Sequence, residues 1–301
     1  MKSDTDAWTW YEIRIHRIGT KNTHPLSTCG GRKKKLSIDL HTLYNDCDCG
    51  HHEGQKVQLE FNLNDIFEKV AAKVFRDKKP FVDKSLWELN KNELLKGIDE
   101  GINVEDRERE TVQKLHTNAA VFAAFKNHHN TQALVDALVD NDGNSRTFAE
   151  FKEIALTINT NYNQNWLYSE YQLAQRSAAM AVKWDEFQKD KDLFPNLKYQ
   201  TVGDERVRED HQKIDGVVLP IDDNFWDYYY PPNGWGCRCT VVQTNEPVTP
   251  DSKIVAPEVP NALKSNPAKS GTLVNETAHP YFDVTAEKKK EIEALIKKLN
   301  K

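Results

Sequence analysis

Apolar positions recur at helical spacing along most of the chain, and only after Pro195 do they give way to short alternating runs. Asn64 or Asp65 is placed to cap a first helix whose one face carries Ile66, Phe67, Val70, Ala71 and Val74. A second helix is predicted from near Asp83 to near Gly101, with Leu86, Leu89, Leu94, Leu95 and Ile98 apolar. The charged stretch 106–129 reads as a third, polar at its start and apolar from Val121 to Phe125. A short fourth, Thr131 to Val139, runs into the turn Asn141-Asp142-Gly143-Asn144.

Thr147-Phe148-Ala149-Glu150 has the spacing of a capping box, in which hydroxyl and carboxylate each satisfy an orphan backbone N–H. The helix it opens is expected to break near Asn159 to Asn165. It resumes over Trp166 to Phe187, where Tyr168, Tyr171, Ala174, Ala178, Ala181 and Trp184 repeat at helical spacing.

Beyond Pro195, Tyr199–Val202, Gly216–Leu219 and Thr240–Gln243 alternate as short strands. After residue 245 prolines accumulate (Pro247, Pro250, Pro257, Pro260, Pro267), the mark of a linker or an arm lying on the surface, before Thr285 caps a last amphipathic helix, Ala286 to Leu299. The fold class is therefore α+β. A poorly ordered arm (1–56) precedes a helical region (60–190), a small α+β domain with short strands (195–245), and a Pro-rich linker with a C-terminal helix (246–301).

Composition adjusts this picture. Hydrophobic residues make up 38% and charged residues 29%, and the formal net charge is −5, which argues against a surface devoted wholly to nucleic acid. No apolar run reaches the roughly 18 residues that a membrane-spanning helix needs. Residues 1–19 lack the apolar core of a signal peptide, so synthesis in the cytoplasm is expected. The five cysteines (29, 47, 49, 237 and 239) include two C-x-C pairs, which in a reducing compartment point to metal ligands or free thiols.

The densest chemistry lies between Tyr199 and Cys239: Asp204-Glu-Arg206-Val-Arg208-Glu-Asp-His211, then Asp215-Gly216, Asp222-Asp223, Phe225-Trp226, and Tyr230-Pro-Pro232-Asn-Gly234-Trp-Gly-Cys237-Arg238-Cys239. The Pro-Pro-Asn-Gly turn would return the Cys237–Cys239 segment to the Asp204–His211 segment. Three chemistries are open there. His211, Cys237 and Cys239 suit zinc, with Asp204 or Asp210 as a fourth ligand. Against this, cysteines one residue apart in a strand point to opposite faces. Alternatively Asp204, Arg206, Arg208, Asp215 and Arg238 form a buried ion-pair network bracing a small fold, the reading the charges favour. Trp226 and Pro232 would serve the same scaffold. Catalysis, with His211 as base, a cysteine as nucleophile and Arg238 holding an anion, matches no motif spacing, and no catalytic residue is assigned.

The ordered blocks D-x-R-V-R-x-x-H, an I-D-G step, D-D-x-F-W and P-P-N-G-W-G-C-R-C resemble the phage Mu F-like minor head (head-morphogenesis) proteins. The resemblance extends to the helix from Tyr168 through Trp184, to Tyr199-x-Thr201, and to His279-Pro280-Tyr281-Phe282. It is strongest over residues 165–245. It implies a non-enzymatic minor component of a phage or prophage head, associated with portal or major capsid protein, with packaged DNA as a further candidate partner, and located in the virion after assembly in the host cytoplasm. It also implies no required cofactor. Some relatives carry C-x-x-C and H-x-x-C, a four-ligand zinc set, where this chain has Arg208, His211, Gly234 and Cys237. With two ligands replaced, an ion-paired arginine fits the first slot better.

Two rivals stand beside this reading. One is a zinc-dependent nucleic-acid-binding module. The other is a toxin-type nuclease or ADP-ribosyltransferase of the kind fused to some relatives, for which the short Pro-rich stretch after Cys239 leaves little room. A second compact ligand cluster, Cys47, Cys49, His51 and His52, lies in the N-terminal arm, with Cys29 or His41 nearby in sequence. Asp140 to Asn144 fails as a calcium loop, because a glycine at Gly143 sets Leu138 and Ala149 where carboxylates belong. The basic run Arg32 to Lys35 is read as solvated, with phosphate contact as its functional alternative.

Overall fold

The structure, a computed structural model, describes residues 63–299. The Cys47/Cys49/His51/His52 cluster, Cys29, His41, the basic run and the N-terminal arm lie outside the described residues.

Five long helical stretches come first. α1 (Leu63–Asp77) buries Phe67, Val70, Ala71 and Val74, the stripe expected of it. α2 (Lys84–Glu100) starts where Asp83 accepts a bond from the Leu86 N–H (3.1 Å) and ends at Gly101. There α2 meets a later helix so closely that a Cβ on Gly101 would lie 2.1 Å from the Gln175 carbonyl oxygen. The expected third and fourth helices are a single 27-residue helix, α3 (Glu110–Asp136). The polar run that looked like a helix end is instead buried and bonded. Asn127 accepts from the Asp83 N–H (3.3 Å) and donates to its carbonyl (2.7 Å), and Thr131 does the same with Phe81 (3.1 and 2.6 Å). These side chains tie α3 to the α1–α2 connection, so they have no need to terminate it.

α4 (Phe148–Thr160) begins at the capping box of Thr147 and Glu150. It does not break. A π-helical segment, Asn161–Trp166, carries it directly into α5 (Leu167–Lys189). Such a widened turn leaves polar groups to be satisfied. Asn163 donates to Asn159 (3.0 Å) and accepts from Asn90 of α2 (3.3 Å), all three side chains being buried.

The sheet is small and antiparallel, in the order β2-β1-β3, from β1 (Asn196–Gln200), β2 (Val218–Pro220) and β3 (Thr240–Thr244). Leu197 pairs with Leu219 on one side and Gln243 on the other. Leu197 and Tyr199, alternate residues of the central strand, are fully buried. Two short helices, α6 (Glu209–Gln212) and α7 (Phe225–Tyr229), fill the connections.

Helices and sheet share one core. Residues of α2, α3 and α5 pack with Leu197, Tyr199, Trp226, Tyr230 and Val241 in a single apolar cluster, while α1 and α4 build a second one around Leu86, Leu134 and Phe151. The Pro-rich stretch expected as a linker adds Val259, Ala262, Leu263, Ala268, Leu273, Val274, Tyr281 and Phe282 to the first cluster. Short turns account for this: α8 (Pro267–Ser270) is capped by Asn266, and Pro280–Phe282 forms one 3₁₀ turn. Each turn delivers two or three apolar side chains inward without a long periodic signal. α9 (Ala286–Leu299) closes the described chain and buries Ile292 and Ile296.

Candidate functional site

The Tyr199–Cys239 block converges, but differently from the expected network. Gly236 adopts a left-handed φ of 66°, and Cys237 to Cys239 run in irregular backbone before strand pairing begins at Thr240. The alternation that would send the two sulfurs to opposite faces therefore does not apply. Both approach His211 on α6, with Cys237 Sγ 3.8 Å and Cys239 Sγ 3.4 Å from Nδ1. All three donor atoms lie within 4.8 Å of one another. Cys237 is 2% and Cys239 9% exposed, and both are free thiols.

Around them, Tyr199 of β1 donates its hydroxyl to Asn233 Oδ1 (3.1 Å), which places Asn233 beneath the loop. The Pro231-Pro232 bond is cis, and residues 231–235 are all buried. Trp226 is fully buried and donates its indole N–H to the Pro220 carbonyl (2.9 Å).

The hydrogen bond from Cys239 and that from His211 pull the Cys237 thiol well below its ordinary range, against burial. Donation to Cys237 together with burial pushes the Cys239 thiol up. A single thiolate on Cys237 is the charge state this geometry favours.

The expected ion-pair network is only partly assembled. Arg238 grips Asp204 with two parallel 2.6 Å bonds, and Arg206 adds a 3.3 Å contact. Asp204 is thus held by arginines and is not turned to His211 as a fourth ligand. The grip keeps its carboxyl well below the usual range, the Arg238 hydrogen bonds being the main cause. This cluster is not buried: the side chains of Asp204, Arg206 and Arg238 are 36%, 45% and 26% exposed. Asp215 stands apart, accepting from the Thr201 backbone N–H (2.7 Å). Asp210 pairs with Lys213 (2.8 Å). Arg208 donates to the Trp235 carbonyl (2.6 Å), and its guanidinium lies 3.0 Å from where a Cβ on Gly234 would sit. Gly234 makes the room that Arg208 fills.

Two features escaped the sequence reading. Arg176 of α5 stands close enough to Cys237 and Cys239 to feel their charge, and burial lowers its pKa. Its Nε is buried without a hydrogen-bond partner. The signal was present, since an arginine interrupts the small-residue stripe Ala174, Ser177, Ala178, but nothing in the stripe tells which way it points. The second feature is a buried polar cluster in the helical layer. Lys126 of α3 and Glu170 of α5 form an ion pair with side chains 0% and 1% exposed. Tyr281 donates its hydroxyl to Glu170 (2.9 Å), and the His279 ring packs against Tyr281 with centroids 4.6 Å apart, tilted by 58°.

A small cavity of ≈ 20 Å³ opens beside the thiols, lined by Val207, Arg208, His211, Cys237, Arg238 and Cys239 among others. That is room for about one water.

The family match includes the Tyr199–Cys239 block and reaches upstream into the helices. Residues 90–242 match the family described as Phage Mu protein F like protein. A relative named "Putative capsid assembly protein F" in Escherichia phage Mu is 36% identical over 104 residues, 35% of this chain and 21% of that protein. The Mu-like prophage FluMu F protein of Haemophilus influenzae is 36% identical over 70 residues, 23% of this chain and 17% of its own length. The matches thus span about a fifth of the length of these relatives. No solved structure matches. With half of its length matched, from within α2 to within β3, the chain belongs to the phage Mu F-like family.

Proposed function

We propose that this protein is a structural component of a tailed-phage or prophage head. In this reading it acts in head assembly as a minor component bound to the portal or to the inner face of the capsid. The observation that carries it is the family match over residues 90–242 together with the capsid-assembly name of the phage Mu relative. The matched stretch runs from within α2 to within β3 and takes in α3, α4, α5, β1 and β2, so what is shared is a folded unit and not a short motif. The Cys/His cavity has room for about one water, which favours bracing over turnover. Partners would be portal or major capsid protein. The location would be the virion after assembly in the host cytoplasm. Among the described residues no helix is long and apolar enough to cross a membrane.

The test is an in-frame deletion of the gene in the phage or inducible prophage. Aberrant or unfilled heads in the lysate, restored by a plasmid copy, are the expected result. Normal yields of filled heads without the protein would refute the proposal. Affinity capture of the tagged protein from lysates made before packaging should retain portal protein, and capture of neither portal nor major capsid protein would remove the partner assignment.

A further inference from the structure

The convergence of His211, Cys237 and Cys239 has a chemistry of its own. In a tetrahedral zinc site with Zn–S near 2.3 Å and Zn–N near 2.05 Å, nitrogen and sulfur donors stand about 3.6 Å apart. The two Nδ1···Sγ distances here, 3.8 and 3.4 Å, straddle that value. An S₂N donor set of two thiolates and an imidazole is soft enough to select zinc over magnesium or calcium. We propose that Nδ1 of His211 and the two Sγ atoms of Cys237 and Cys239 hold one zinc ion, with a water in the adjoining cavity as fourth ligand.

The surroundings support the assignment independently of the distances. The backbone is built to bring both sulfurs to one side: Gly236 turns in the left-handed region and strand pairing is delayed to Thr240. Arg176 Nε, buried without a hydrogen-bond partner, stands near two sulfurs that as metal-bound thiolates would accept N–H bonds. The cavity lined by the three ligands is the size of one water, which supplies the fourth ligand. Asp204, the nearest alternative carboxylate, is held by Arg238 and Arg206. Cys237 would enter as the thiolate, and the proton remaining on Cys239 would pass to solvent as its Zn–S bond forms. The ion would then pin α6 to the entry of β3, two segments separated along the chain by β2 and α7.

The experiment uses the full chain, because Cys47, Cys49, His51 and His52 stand close together in sequence as a second candidate ligand set. Chelator-stripped protein is titrated with Zn²⁺ against a chromophoric chelator, alongside a Cys47→Ser/Cys49→Ser variant. One tight equivalent should survive in that variant. It should weaken by at least about 100-fold in His211→Ala, Cys237→Ser and Cys239→Ser, more than loss of an outer-shell partner costs. Should the single variants fail to fold, X-ray absorption of the Cys47→Ser/Cys49→Ser protein loaded with zinc decides. Two sulfur and two nitrogen or oxygen neighbours support the site. Absence of a tight equivalent, or a metal that disappears with Cys47 and Cys49, overturns it.

Discussion

The molecule holds two clusters of opposite charge that look alike on paper and differ in physics. In the helical layer, Lys126 and Glu170 face each other with almost no exposure, and Tyr281 occupies the remaining carboxylate oxygen. In the loop block, Arg238 and Arg206 hold Asp204 at the surface with a quarter to nearly half of each side chain in water. The first pair sits where desolvation is severe and any unpaired charge is costly. The second sits where water and salt screen it. Geometry alone would rank them the other way, since Arg238–Asp204 is the well-formed bidentate fork. Burial, more than hydrogen-bond count, decides which cluster the fold depends on.

The sharpest way to break this contrast is to remove one member of the buried pair. Glu170→Gln leaves the Lys126 ammonium without a counter-charge and should cost about 3–5 kcal/mol, read as a lower urea midpoint. The double variant Lys126→Met/Glu170→Leu should recover much of that loss, and a cost equal to the sum of the single variants would contradict the argument.

Mild acid should separate the two regions next. Burial, and then the charge of His129 and Lys126, push His279 down to about 3. Burial and then His128 hold His129 at about 4. Both imidazoles are neutral in the fold, whereas in the unfolded chain they take up protons below about 6.5. Their stability contribution is therefore intact above pH 6.5 and falls as pH drops toward 4 and 3, by about 2 kcal/mol per histidine at pH 5. Asp204 runs in a different window. Its folded pKa is depressed, so its contribution is present above the unfolded carboxylate value and is lost only at strongly acid pH. Urea midpoints at pH 7.5 and 5 test this, and equal midpoints would contradict the neutral, buried assignment of His129 and His279.

Two glycines extend the contrast to packing. Gly101→Ala drives a methyl into the Gln175 carbonyl of a fixed helix and should cost about 1–3 kcal/mol. Gly234→Ala meets only the movable end of Arg208 at 3.0 Å and should cost clearly less in the same melt. The smallest effect belongs to Asp204→Asn: a slight drop in melting temperature at low salt that vanishes at high salt.

The history of each region in the sequence follows the same division. Local signals were legible: Asp83 capped α2, Thr147 and Glu150 formed their box, and three strands fell close to their predicted places, although the helical run stopped at Lys189, short of Pro195. So was the Tyr199–Cys239 block, because its residue types announce themselves and its turn returns the chain on itself. What could not be read was polarity directed inward. The Asn127–Thr131 run resembled a helix end because its partners, Asp83 and Phe81, lie about 50 positions earlier. Asn163 widened a helix in place of breaking it, for want of a visible Asn90. Nothing beside Lys126 in the sequence announces Glu170, which α5 brings to it from 44 positions away. The prolines after residue 245 concealed an apolar set spread over turns too short to show a period. In the site, the C-x-C pair was judged by strand geometry, and a single left-handed glycine changed the outcome.

The central claim, that this family member is built into phage heads as a structural part, is tested most directly by the protein content of purified heads. Gradient-purified particles from the phage or induced prophage, analysed by quantitative mass spectrometry, should contain this chain at a small, constant ratio to the major capsid protein. Its confinement to the soluble fraction, at both early and late stages of assembly, would contradict the account.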